Sequence, residues 1–82
     1  MAMNIKGAAL GAGTLWGLAV FFVGIFAAAT GSYGVQFVNA LGSIYLGYAP
    51  TYPGAIIGGI LGFIDGAIAA AIFAYLYNHF SK

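Results

Sequence analysis

Cysteine is absent from this chain, and charge is nearly so: of 82 residues only Lys6, Asp65 and Lys82 are formally charged at neutral pH, with His79 as a possible fourth. No disulfide framework and no thiolate metal site can form without cysteine. A single acid excludes paired-carboxylate catalysis, and Ser32, Ser43 and Ser81 have no histidine placed to activate them. The sequence therefore reads as non-enzymatic, with no metal, cofactor or small-molecule substrate implied. Two lysines are too few for a nucleic-acid footprint or a polybasic lipid patch, so no nucleic acid is expected as a partner. What remains is apolar: 63% of the residues are hydrophobic and the mean hydropathy is +1.04. A water-soluble domain of this composition has almost nothing polar to put on its surface. The chain is also too short to enclose a large core, so lipid or neighbouring subunits must cover much of it.

Two apolar runs are long enough to span a bilayer. Gly7–Ala29 and Pro53–Tyr77 hold about 23 and 25 residues, against the ~20 that cross a ~30 Å hydrocarbon layer. The first run exceeds the apolar core of a secretory signal and reads as a retained span. Only two prolines occur, Pro50 and Pro53. The second fits the first turn of a helix, where its missing N–H costs nothing, and the first breaks the segment before it. The fold class expected is all-α and integral to the membrane, a single two-transmembrane-helix hairpin with its connector at residues 30–52.

That connector is more than a loop. From Val35 to Tyr48, Phe37, Val38, Leu41, Ile44, Tyr45 and Tyr48 recur at helical spacing while Gln36, Asn39, Ser43 and Gly47 fall on another side, which predicts a short interfacial helix. A re-entrant segment is the alternative. Tyr33, Tyr45, Tyr48 and Tyr52 are expected as interface anchors at this end, and Tyr75, Tyr77, His79 and Phe80 at the other. His79 is read as an interfacial polar residue favoured by the helix C-terminus rather than as a ligand.

Glycine carries the packing argument. Gly54, Gly58, Gly62 and Gly66 recur every fourth residue of the second span, a ribbon that lets another helix approach backbone to backbone. Four residues advance about 400°, so the row drifts about 40° per step. Gly13, Gly17 and Gly24 offer a matching surface on the first span; the ribbon's partner is either this helix or another subunit. Gly11-Ala12-Gly13 with Gly17 superficially resembles a phosphate loop, but no strand precedes it.

Asp65 sits in the middle of the second span. A charged group there costs about 2.5–3.5 kcal/mol on insertion scales, so it needs a donor, a proton or a water-filled cavity. Trp16 is the one polar candidate at comparable depth on the first span, roughly 15 Å past Lys6 and so misplaced as an interface anchor. An indole N–H bonded to the carboxylate explains both oddities. Side chains of antiparallel helices lean toward opposite membrane faces, however, which pulls this pair apart. A structural, hydrogen-bonded acid is the leading reading; an ion or proton site and a contact with a foreign subunit are the alternatives.

Leu15-Trp16-Gly17, Ser43-Ile44-Tyr45 with Gly47-Tyr48, Gly62-Phe63-Ile64-Asp65-Gly66 and the terminal Tyr75-Leu76-Tyr77-Asn78 resemble a family of small prokaryotic two-span membrane proteins labelled bacteriophage holin or holin-like. This resemblance implies a hairpin in the prokaryotic cytoplasmic membrane that self-associates; holins proper accumulate and then open lesions through which a lytic enzyme escapes. A hairpin that is glycine-rich in one helix and carries a mid-span acid in the other is also similar to the ring subunit of rotary ATP synthases. That weaker similarity implies an ion-carrying Asp65. The function expected is assembly, either as a holin-like homo-oligomer in the lipid bilayer or as an accessory subunit of a larger membrane complex.

Lys6 and Lys82 flank the two spans while the connector has no Lys or Arg, so the positive-inside rule places both termini in the cytoplasm. Single cysteines introduced at Ser32 and Ser81 are to be challenged with a membrane-impermeant thiol reagent in intact cells. The Ser32 variant is expected to label and the Ser81 variant to stay dark; the opposite pattern inverts the topology.

Overall fold

The computed structural model describes residues 2–81. Among them are three helices and no strands: α1 Ile5–Thr30, α2 Val35–Gly42 and α3 Tyr52–Phe80. Each long helix has an identifiable start. The Asn4 side chain accepts from the Gly7 N–H at 2.8 Å, and the Thr51 hydroxyl accepts from the Gly54 N–H at 3.0 Å, each satisfying an otherwise orphaned first-turn donor. Pro53 lies within the first turn of α3. α1 stops at Gly31, whose φ of +69° is the left-handed conformation that a helix-terminating residue adopts and that glycine tolerates without strain. Both long helices have the length and hydropathy to cross a membrane.

α1 and α3 pack antiparallel along their whole length. Gly24 of α1 meets Ala55, Gly17 meets Gly59 and Phe63, and Gly13 meets Phe63 and Ala67. The buried positions of α1 are Gly13, Gly17, Val20, Gly24 and Ala27. They alternate steps of four and three, the repeat that keeps one seam facing a neighbouring helix. A Cβ placed on Gly17 comes within 2.9 Å of the Gly59 carbonyl oxygen, so the backbones are as close as glycine permits.

Beyond the seam, the usual distribution is inverted. Val20 is fully buried, while Leu15 is 74% and Phe73 60% exposed. In water, each large apolar side chain left outside forgoes about 1.5–3 kcal/mol. Hydrocarbon removes that penalty, because lipid tails are as apolar as leucine. Small residues inside and large ones outside is therefore the arrangement that a bilayer tolerates.

The connector lies against the hairpin. At about 1.5 Å per residue, the 29 residues of α3 account for most of the molecule's 49 Å length, so the connector runs alongside the helices rather than beyond them. α2 ends at Gly42, earlier than the predicted helical stretch, and residues 43–51 turn back to α3 through Gly47 at φ +98°.

Two expectations are corrected here. Tyr45 and Tyr48 are not exposed interface anchors: they are 6% and 4% exposed and form the core with Val20, Ala27 and Val38. The Tyr48 ring lies over Gly58 and its hydroxyl donates to the Val20 carbonyl at 2.6 Å, so a buried phenol has its partner. The glycine ribbon does not serve a single helix contact either. Gly62 and Gly66 face α1, Gly58 makes room for Tyr48, and Gly54 abuts Ala49 and Thr51. The 40° drift per step is the cause: across three steps the row turns about 120°, from the connector at its upper end to α1 at its lower end. Gly59, outside the ribbon, takes over the close approach to α1.

A Cβ on Gly58 would overlap the Tyr48 ring, and one on Gly11 meets nothing within 4 Å. Gly58→Ala and Gly17→Ala are expected to destabilise the hairpin by about 1–3 kcal/mol, the range for overpacking, in denaturant titrations followed by Trp16 fluorescence. Gly11→Ala is expected to be neutral or slightly stabilising; equal midpoints for all three variants contradict the packing described.

Candidate functional site: a tyrosine bridge at mid-span

Tyr45, Trp16 and Asp65 come from three different elements and meet in one hydrogen-bonded chain. The Trp16 indole Nε1–H donates to the Tyr45 hydroxyl at 2.9 Å. The Tyr45 hydroxyl donates in turn to Asp65 Oδ2 at 2.5 Å. An indole N–H has no acceptor capacity, so the first bond can run only from tryptophan to tyrosine, and in the second the phenol passes its own proton to the carboxyl. One phenol hydroxyl uses its proton and a lone pair at once.

The backbone positions all three. Gly66, next in sequence to Asp65, abuts the Ala12 carbonyl, Gly13 Cα and Trp16 Cβ, which fixes Asp65 and Trp16 near the same depth. Tyr45 follows the end of α2 and its ring centroid lies 6.5 Å from that of Tyr48. Asp65 is thirteen residues into α3, roughly 20 Å along the axis from Tyr52. A tyrosine and an aspartate side chain together do not cover that distance, so the connector descends alongside the two helices to deliver the phenol.

The direct Trp16–Asp65 hydrogen bond considered from the sequence does not form; Tyr45 bridges the two side chains. Each side chain leans toward the N-terminus of its own helix, and in an antiparallel pair those directions diverge. The gap that results is occupied by the Tyr45 hydroxyl. Asp65 nevertheless stays exposed on the hairpin surface, and among the described residues its Oδ1 has no partner. Trp16 is 37% exposed.

The remaining predicted site residues lie apart from this chain. Gly13, Gly17 and Gly24 form the α1 seam. Tyr52, Tyr75 and Tyr77 are exposed toward the helix ends. His79 is exposed in the last turn of α3, its ring edge-on to Phe80 at 4.9 Å between centroids. One polar residue that the sequence reading did not single out for a role is Asn78. Its amide oxygen accepts from the Met3 N–H at 2.6 Å and its Nδ2 donates to the Met3 carbonyl at 2.8 Å. This two-point clamp ties the chain's beginning to the end of α3. The signal available in the sequence was a lone amide at the edge of an apolar run, level with the start of the other span.

Chemically, the bridge can hold a carboxyl at depth through one donated hydrogen bond while leaving its second oxygen open to whatever lies outside. No protein-family model, curated protein or solved structure matches the chain.

Tyr45→Phe removes both hydrogen bonds of the bridge while keeping the ring. A double-mutant cycle with Asp65→Leu, which removes the acceptor, read as unfolding free energy in detergent, is expected to give a coupling of about 0.6 kcal/mol and at most about 1.7 kcal/mol, the mean and maximum for hydrogen bonds within a membrane protein. Strict additivity of the two substitutions means that the phenol and the carboxyl act independently.

Proposed function

We propose that this chain is a non-enzymatic integral membrane hairpin that works by assembly, as a holin-like homo-oligomer. The exposure of Asp65 at mid-span carries this reading. Tyr45 satisfies one carboxyl oxygen, but the other is left on a surface that hydrocarbon would cover, where an ionisable group is penalised. A second subunit over that surface relieves the penalty. The large apolar side chains pointing outward supply van der Waals surface for such contacts.

The ribbon glycines are consumed within the chain, so the assembling surface has to be another one. Both termini lie on the cytoplasmic side of a prokaryotic cytoplasmic membrane in this reading, and α2 lies toward the opposite interface, with Gln36 and Asn39 exposed. The same unpaired oxygen supports a second reading, in which a donor from a different protein covers it and the chain is an accessory subunit. A third reading makes Asp65 an ion carrier.

Expression of the chain alone, extraction in mild detergent and mass determination by light scattering separate these readings. A discrete multimer that persists in Asp65→Asn and dissociates in Asp65→Leu is expected, since asparagine keeps a polar group of the same shape. A monomer recovered intact only with other proteins favours the accessory role. Proton flux into liposomes that wild type supports and Asp65→Asn abolishes favours the ion carrier.

A further inference from the structure

We infer that the hairpins assemble head to tail, the Asp65 face of one copy seated against a groove on the opposite face of the next, where Thr14 meets the carboxyl; this rests on the self-assembly proposed above. The groove runs between α1 and α3 on the side away from Tyr45. Gly17 and Gly59 leave it open, Phe21 and Phe63 line it, and Thr14 is its only polar lining residue. Thr14 is exposed. Thr30, by contrast, returns its hydroxyl to the Phe26 carbonyl at 2.7 Å, whereas the Thr14 hydroxyl has no partner among the described residues. A hydroxyl in hydrocarbon without a hydrogen bond is costly.

Asp65 is the complement of Thr14. It lies two residues after Phe63, a turn of about 200°, and so on the other face of the hairpin, beside Tyr45. Its backbone lies at the same depth: a Cβ on Gly66, beside Asp65, would lie 3.2 Å from Gly13 Cα, beside Thr14. One face thus carries an acceptor oxygen without a donor and the other a donor without an acceptor, at one level. Copies inserted in one orientation share that level, so they meet without sliding along the membrane normal.

Shape agrees with chemistry. Ile44 and Leu46 flank Tyr45 and are 71% and 80% exposed, which provides large side chains on the Asp65 face for a groove opened by two glycines. A twofold contact uses one face twice and leaves the unpartnered group on the other face uncovered. The head-to-tail contact avoids this, and because it uses two different surfaces it repeats from copy to copy, as a ring where the rotation closes and as an open array where it does not.

Leu10→Cys and Ala69→Cys each lie one turn from Thr14 and Asp65 toward the same membrane side, both exposed, and both leave the proposed contact intact. Oxidation of the double variant in native membranes is expected to yield a ladder of disulfide-linked multimers, while neither single variant cross-links. Dimers from a single variant, or no ladder from a protein that still runs as a multimer in detergent, overturn the head-to-tail contact and leave self-assembly standing. A monomer in both measurements overturns both. Thr14→Val is expected to reduce association about threefold and at most about seventeenfold, the mean and maximum for one interhelical hydrogen bond, and Thr14→Ser to preserve it; equal association of Thr14→Val and wild type also rejects the contact.

Discussion

The close approach of two backbones is the constraint on which the rest of this hairpin depends. Gly17 faces Gly59, and Gly13 and Gly66 are in contact, because no side chain intervenes at these points. That spacing brings the Trp16 and Asp65 side chains within reach of a single phenol hydroxyl. Helices held further apart would leave a gap that one tyrosine does not bridge. The same approach makes the surface notch at Gly17 and Gly59. Packing and polar chemistry are thus consequences of one choice of residue.

A membrane removes the hydrophobic drive between helices and raises the value of each satisfied polar group. Connector and hairpin respond to both conditions together. Tyr48 fills the space over Gly58 and gives its proton to the Val20 carbonyl; Tyr45 fills the space between Trp16 and Asp65 and gives its proton to the carboxyl. Each tyrosine supplies apolar contact area along its ring and a hydrogen bond at its tip, the combination for which this side chain is suited. At the far end, Asn78 does the equivalent with an amide, closing the hairpin against the Met3 backbone.

Hydropathy and local signals carried much of the fold. The two long apolar runs mark α1 and α3, while the Thr51–Pro53 start and the helical spacing after Val35 mark boundaries. What they do not carry is the direction in which the connector turns. Tyr45 and Tyr48 satisfy the pattern of an aromatic belt equally well whether they point to the interface or into the hairpin, because composition records amphipathic character and not position. The ribbon was legible as a close-contact surface, but its 40° drift per step had a consequence that needed coordinates: a row that turns through about 120° meets two partners in succession. Asp65 and Trp16 were both recognisable as anomalies of depth. Their connection was not, since the linking residue lies twenty positions from one and twenty-nine from the other.

The bridge has a further consequence for Asp65. Tryptophan can only donate, so the Tyr45 oxygen gives one lone pair to the Trp16 indole and its proton to Oδ2. One carboxyl oxygen is thereby held by the internal framework, while Oδ1 has no partner among the described residues and the side chain stays exposed. The inner oxygen fixes where the acid sits, and the outer one is left for a contact from outside the hairpin. In the assembly proposed above, a hydroxyl of a neighbouring copy suits that position, since it can donate or accept by rotating about its C–O bond. The same geometry therefore positions the acid from within and leaves its second oxygen without an internal role.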